Sequence, residues 1–310
     1  MSPALAWRPV AVWSRWVRST ACIAATRRCW RRWPRARELD GSPLVVSFEP
    51  LPRAFFSPRP VPRISSVRDK LRGFAAAGMQ QALLLRFNRA LTAMSAEDFV
   101  RRVLVERLAA REVWVGADFR FGHKRAGDVA LLQAMGPQCG FLACTMPEVQ
   151  WHDARVSASR VRELLAAGEF AAAEPLLGRP FVIDGKVQRG NQLGRTLGYP
   201  TANIHLRDRV SPVLGIFAVR VGLGEGECSW PGVASLGVRP TVNQVSEPLL
   251  EVHLFDFEGD LYGQRMAVEF VGKLRDEQKF DDLDALTAQM DRDAAAARAM
   301  LGMNPVLVGA

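Results

Sequence analysis

Gly190-Asn191-Gln192-Leu193-Gly194-Arg195-Thr196-Leu197-Gly198-Tyr199-Pro200-Thr201-Ala202-Asn203 is the stretch from which this 310-residue chain is read. Glycines stand at every fourth position, 190, 194 and 198. Backbone can approach a phosphate group at such positions with no Cβ in the way. Pro200-Thr201-Ala202-Asn203 is stiff and offers two neutral side-chain oxygens. Neutral oxygens suit a Mg2+ ion that nucleotide phosphates already hold. A GxxxG spacing alone is an ordinary Gly-rich turn, but the fourteen-residue string is far more specific. It is not a P-loop. The chain has no GxxxxGK[ST] and no protein-kinase HRD or DFG set.

Working outward from this stretch, 181–187, 215–221, 231–237, 249–255 and 266–271 read as short strands with Gly turns between them. That spacing predicts a small antiparallel β-barrel. A helix over 282–301 follows, with Ala-rich i, i+3, i+4 spacing. Upstream, a helix over 164–177 is ended by Gly178-Arg179-Pro180. In the strand Leu250-Glu251-Val252-His253-Leu254 the apolar residues alternate, so Glu251 and His253 share one face. A Glu on such a face can accept a hydroxyl proton if the glycine-rich stretch delivers a phosphoryl group, which makes Glu251 a candidate base. The plain alternative is a solvated outer-face glutamate.

The first half alternates strands and helices. The strand 43–48 is broken by Glu49-Pro50-Leu51-Pro52, and a helix starts at 66–71. The segments 81–87, 112–116 and 140–142 are strand-like, with helices from Ser95 and over 127–135. This pattern predicts a parallel sheet with crossover helices, whose ligands sit at the carboxyl ends of the strands. Two motifs fall at such ends. Gly116-Ala117-Asp118-Phe119-Arg120-Phe121-Gly122 follows a strand, and Val156-Ser157-Ala158-Ser159-Arg160-Val161-Arg162 opens a helix. Hydroxyls and free N–H groups at a helix start suit phosphate oxygens, and Arg162 adds charge. Taken alone, Ser157 or Ser159 is an ordinary N-cap.

The net charge of +9 has one source. Residues 1–37 hold nine arginines and no acid; removing them leaves 32 basic residues against 32 acidic ones. Five of the eight tryptophans lie in the same segment. No apolar run reaches the ~18–20 residues of a membrane helix. The five cysteines have no CxxC pair and no metal-ligand spacing, and read as reduced thiols of a cytosolic protein.

The fourteen-residue string closely resembles the flavokinase signature, with Tyr199 where Phe is common. The stretch 233–241 resembles that family's N-I-G-x-R-P-T turn, with Ser235 in place of Asn, and 273–280 resembles its loop that closes over flavin. Phe48-Glu49-Pro50-Leu51-Pro52-Arg53 and the two first-half motifs resemble the adenylyltransferase half of the bacterial bifunctional riboflavin kinase/FAD synthetase. There the motifs read G-x-D-F-R-F-G and I-S-S-T-x-x-R. The resemblance spans about residues 41–303. It implies an α/β Rossmann-like nucleotidylyltransferase domain over 41–178, and a small antiparallel β-barrel riboflavin kinase domain with a C-terminal helix over 179–310. The substrates it implies are ATP, riboflavin and FMN, in a cytoplasmic protein with neither nucleic-acid nor membrane partner. In the kinase, it places Lys186, Gly190, Gly194, Gly198, Thr201 and Asn203 around ATP. Thr201 and Asn203 would hold Mg2+, Glu251 would be the base and Arg275 would touch flavin. In the adenylyltransferase, Gly116, Asp118, Arg120, Ser157, Ser159 and Arg162 would bind nucleotide.

The HxGH motif of the nucleotidylyltransferase superfamily, which the resemblance implies, is missing. The four histidines are His123, His152, His205 and His253, and none lies in an HxGH. The segment 1–40 has three readings: a transit peptide, a basic arm for RNA or anionic lipid, or a GC-rich gene read out of frame. GC-rich codons for Ala21-Cys22-Ile23-Ala24-Ala25-Thr26-Arg27-Arg28-Cys29, read one base earlier, can give G-V-H-R-G-H-Q-A-L. Extension both ways permits G-T-F-D-G-V-H-R-G-H-Q-A-L-L-A, which resembles the superfamily signature. On this reading the first strand and helix of the sheet are incomplete or absent, its edge is uncovered, and FMN adenylylation is lost or severely reduced. The alternative for the whole chain is a catalytically inactive flavin-binding protein.

Overall fold

Leu44, Val45, Val46 and Phe48 are all buried, so the strand that carries them needs cover on both faces. In the computed structural model, which describes residues 10–13 (as backbone), 42–146, 150–152, 154–190, 193–206, 210–224, 226–239 and 247–303, this strand belongs to a five-stranded sheet. Its strands are β1 (Val10–Trp13), β2 (Ser42–Glu49), β3 (Gln81–Arg86), β4 (Ala110–Gly116) and β5 (Leu142–Met146). The order is β3-β2-β1-β4-β5, and every pairing is parallel. Helix α1 (Val67–Ala76) packs Phe74 on Val45. On the other face Leu44, Val46 and Phe48 join Leu85, Val113, Val115, Leu132 and Phe141. Leu132 comes from helix α2 (Val129–Cys139), which Asp128 caps by accepting from Leu131 N.

Of the two expectations for the first strand, incomplete or absent, the arrangement fits the first. A first strand exists, and it fills the slot between β2 and β4 rather than leaving it open. Val-Ala-Val-Trp is a β-prone run, and the slot presents two rows of unpaired backbone groups that a strand satisfies. It has four residues beside the eight of β2. The remainder of the Arg-rich segment, and with it the first helix, lies outside the described residues.

The chain divides into two compact units. One comprises residues up to Val61 with Val67–Ala158; the other comprises Pro62–Ser66 with the residues from Ser159 onward. In the first, a small hairpin joins β6 (Gln150–Trp151) to β7 (Ala154–Arg155). The second begins with helices α3 (Ala158–Ala167) and α4 (Phe170–Leu177). Its body is an antiparallel sheet of β8 (Val182–Lys186), β9 (Ala202–His205), β10 (Gly215–Leu223), β11 (Trp230–Arg239), β12 (Glu247–Leu254) and β13 (Arg265–Arg275). The order is β8-β13-β10-β11-β12-β9, and a bridge from Gln188 to Asn203 brings the two edges together, so the barrel is nearly closed. Phe217, Val219, Leu236, Leu250, Val252, Val268 and Phe270 fill it. Phe170 of α4 meets Phe217 and Phe270 at ring-centroid distances of 5.8 and 5.6 Å. Helix α5 (Leu283–Met300), capped by Asp282, lays Ala294 and Ala297 beside Ala218, Val233 and Phe255. Small side chains on that face let the helix come close to the sheet.

Candidate active site

Strand register assembles the site. Directly opposed residues in antiparallel strands lie roughly 4.5–5.5 Å apart at Cα. Asn203 opposes Glu251, Glu251 opposes Ser235, Ser235 opposes Ile216, and Ile216 opposes Arg275. An amide, a carboxylate, a hydroxyl and a guanidinium from separate stretches thus share one row across the barrel. Leu250, Val252 and Leu254 point into the barrel, which turns Glu251 and His253 outward. Glu251 is half-buried.

The glycine-rich stretch has a specific geometry here. A Cβ added at Gly190 would stand 2.6 Å from Asn203 Nδ2. Only glycine lets the Asn203 amide lie where it does. Asn203 is 3 % exposed, and its Nδ2 donates to Thr201 O at 3.3 Å. Its Oδ1 is buried and has no hydrogen-bond partner among the described residues. An unpaired buried carbonyl oxygen costs about 1–3 kcal/mol, and a hard cation satisfies such an oxygen. Thr201 is half-buried two residues away. Gly198 has φ +80°, the left-handed region that favours glycine. Tyr199 N donates to Gly194 O at 2.7 Å, closing the turn into Pro200. Lys186 is exposed at the end of β8, opposite Arg265.

Arg275 is committed elsewhere. Its Nε and Nη2 donate to the buried Asp293 carboxylate of α5 at 2.7–3.1 Å, and its Nη1 donates to Asp276 O at 2.9 Å. The guanidinium also lies 5.7 Å from the Phe280 ring centroid. Arg275 therefore orders the loop after β13. That loop carries a residue the sequence reading passed over, Glu277, whose carboxylate rests on Gly237 of β11. Burial, then the charge of Glu251, push the Glu277 carboxyl above its ordinary value, while Arg275 pulls it back. The signal was in the string: Glu277 follows Arg275 by two, and the strand it faces has a glycine there.

In the parallel-sheet unit, the loop after β4 sends alternate residues in and out. Phe119 and Phe121 are buried and stacked at 5.2 Å, while Asp118 and Arg120 turn outward to Arg155 (3.1 Å) and Asp128 (2.9 Å). Gly116 ends β4 beside β1, where the strand order reverses, the usual ligand crevice of an open parallel sheet. Ser157 immediately precedes α3. Ser159 and Arg162 lie in α3 and group with the barrel unit, where Arg162 Nε donates to Pro62 O at 2.8 Å. Lys70, read in sequence only as part of a helix start, is 2 % exposed. Its Nζ reaches Phe48 O at 3.5 Å and Glu49 at 3.6 Å. It shares the buried face of α1 with Phe74, four residues on, and that spacing was its signal.

Comparison with known proteins covers both units. The riboflavin kinase family model matches residues 177–301, and the FAD synthetase family model matches residues 32–160. The bifunctional riboflavin kinase/FMN adenylyltransferase of Pseudomonas fluorescens is 46 % identical over 266 residues, 86 % of this chain and 85 % of its own. That of Escherichia coli K12 is 44 % identical over 261 residues, 84 % and 83 % of the two chains. A crystal structure from Streptococcus pneumoniae, described as a macrolide-efflux protein, has a TM-score of 0.76 at 25 % identity and covers 94 % of this chain and 93 % of that one. Among the described residues, no helix is long and apolar enough to cross a membrane. Two family models on two units, and relatives aligned over most of both lengths, agree: the chain belongs to the bifunctional riboflavin kinase/FMN adenylyltransferase family.

Proposed function

We propose that this chain phosphorylates riboflavin with ATP to give FMN at the Asn203–Glu251 row, and that its FMN adenylylation to FAD is lost or severely reduced. The observation that carries the kinase reading is the buried, unpartnered Asn203 Oδ1 beside Glu251. Asn203 and Thr201 fit Mg2+, two neutral oxygens of the kind that a phosphate-bound ion accepts. The chemistry supplied there by Mg2+ is neutralisation of charge on the ATP phosphates. Gly190, Gly194 and Gly198 carry the backbone that faces those phosphates, and Lys186 flanks them. Glu251 accepts the proton of the ribityl hydroxyl as the phosphoryl group arrives. Glu277 lies near enough to that base for the charge of Glu251 to add to burial in raising its carboxyl. Arg275 acts on flavin through the loop it orders.

The adenylyltransferase proposal rests on the missing HxGH. Adenylyl transfer needs in-line positioning of two phosphates and neutralisation of the leaving pyrophosphate. Removal of one comparable donor costs roughly 10²–10³ in rate. Gly116, Asp118, Arg120, Ser157, Ser159 and Arg162 remain as candidate nucleotide contacts without it. A family match that starts only at residue 32 supports the reading of the segment 1–40 as out of frame. A two-reaction assay of this chain beside a frame-restored one tests both readings. Riboflavin phosphorylation is expected in both, and FAD formation only in the restored chain. FAD made at equal rates would sink the frame reading; no phosphorylation by either would favour an inactive flavin-binding protein.

A further inference from the structure

The ladder between β9 and β12 ends at the pair Ala202–Val252. One residue further, His253 of β12 reaches across to the departing turn: its Nδ1 lies 2.9 Å from Pro200 O. A carbonyl only accepts, so Nδ1 carries the hydrogen. This side-chain bond continues the fastening of β9 past the point where backbone pairing stops. Tyr199, the residue before Pro200, packs edge-on against the same imidazole, with centroids 5.0 Å apart at 66°. Its hydroxyl hydrogen-bonds to Asp291 of α5. The imidazole is backed in turn by Phe255, at 5.8 Å. Arg298 of α5 covers Phe255 at 4.2 Å and binds Asp256 at 3.0 and 3.1 Å. The turn that carries Thr201 and Asn203 is thus held from two sides, by β12 and by the C-terminal helix.

We propose that His253 and Tyr199 are positioning residues for the metal-binding turn, through which α5 fixes Thr201 and Asn203 over Glu251. The inference rests on the reading of Thr201 and Asn203 as the Mg2+ ligands. Both act through the turn, His253 by its bond to Pro200 O and Tyr199 by its bond to Asp291. Their effect belongs on the Mg2+ and MgATP dependence of the kinase, and not on its use of riboflavin.

The test is steady-state kinetics of riboflavin phosphorylation by the full chain, with free Mg2+, MgATP and riboflavin each varied. His253→Leu is expected to raise the half-saturating Mg2+ and the KM for MgATP about tenfold, the worth of one hydrogen bond, with the riboflavin KM unmoved. His253→Asn, whose amide nitrogen can stand near the Nδ1 position, should recover most of that loss. Tyr199→Phe keeps the ring and removes only the hydroxyl; it should raise the half-saturating Mg2+ about threefold, and it keeps the test decisive if His253→Leu fails to fold. Asn as impaired as Leu, an equal shift in riboflavin KM, or Tyr199→Phe with unchanged Mg2+ dependence would overturn the proposal. Thr201→Ala separates the two layers. If it leaves the Mg2+ dependence intact, the metal reading fails and takes the inference with it. If it impairs that dependence while the His253 and Tyr199 variants do not, the inference fails alone.

Discussion

Replacing Gly190 with alanine adds one methyl group at the most sensitive contact of the site. The new Cβ would stand 2.6 Å from Asn203 Nδ2, 2.8 Å from its Cγ and 2.9 Å from its Oδ1. An ordinary contact needs about 3.5 Å, so the amide must retreat by about 1 Å. The backbone at Gly190 is not left-handed, so alanine is not strained there for its own sake. Asn203 is almost wholly buried, and the only way to yield is to turn Oδ1 out of place. A misplacement of about 1 Å in a catalytic constellation costs on the order of 10²-fold in rate, roughly 2.7 kcal/mol of barrier. Overpacking by one methyl costs about 1–3 kcal/mol of stability, which a domain with about 5–15 kcal/mol in hand survives. The expected result is a folded protein, by circular dichroism and thermal unfolding, whose riboflavin kinase kcat/KM is down about a hundredfold. Raised Mg2+ should restore part of it. A folded Gly190→Ala protein with full kinase activity would refute both the assignment of Asn203 and the reason given for the glycine.

Three other outcomes follow from the geometry. Glu251→Gln should lower kcat by about 10²–10⁴-fold with ATP and riboflavin binding retained, since a general base contributes that much; a near-native rate would remove Glu251 from the mechanism. Asp293→Asn cuts the bidentate partner of Arg275 and disturbs the 2.8 Å bond from Gln289; it should cost about 3 kcal/mol, read by denaturant unfolding, because it leaves a largely buried guanidinium unpaired. His253 is held below its ordinary 6.5 chiefly by burial, so the folded chain takes up this proton at a lower pH than the unfolded chain does. Its contribution is present above 6.5 and is lost as pH falls, whereas Glu277, raised, acts with the opposite sign in the carboxylate range. The thermal midpoint should therefore drop as pH is lowered from about 7 to about 5, and less steeply in His253→Asn; equal slopes would assign the effect to other groups.

Much of the fold was legible locally. Alternation around Leu250-Glu251-Val252-His253-Leu254 announced a half-buried strand, because a period of two leaves little choice of face. The continuous apolar run at Leu44-Val45-Val46 announced a strand covered on both sides. Val10–Trp13 was not legible, since a four-residue strand amid arginines has no period to read, and its place came from the open slot between two other strands. Arg275 was legible as important but not as Asp293's partner, and nothing in the stretch 273–280 by itself marked Glu277. Both are defined by contacts between stretches distant in sequence.

The sequence by itself determined the inventory: a spaced-glycine string ending in Thr201 and Asn203, one outward glutamate at 251, and a missing HxGH. Residue types and short-range periods carry such information because they depend on covalent spacing. Only the tertiary structure decided that Asn203, Glu251, Ser235 and Arg275 share one row, that Gly190 is small for the sake of Asn203, and that the C-terminal helix reaches the turn through Tyr199. Those facts depend on strand register and barrel closure. Register is settled by the packing of the whole barrel at once, and no single stretch of chain contains it.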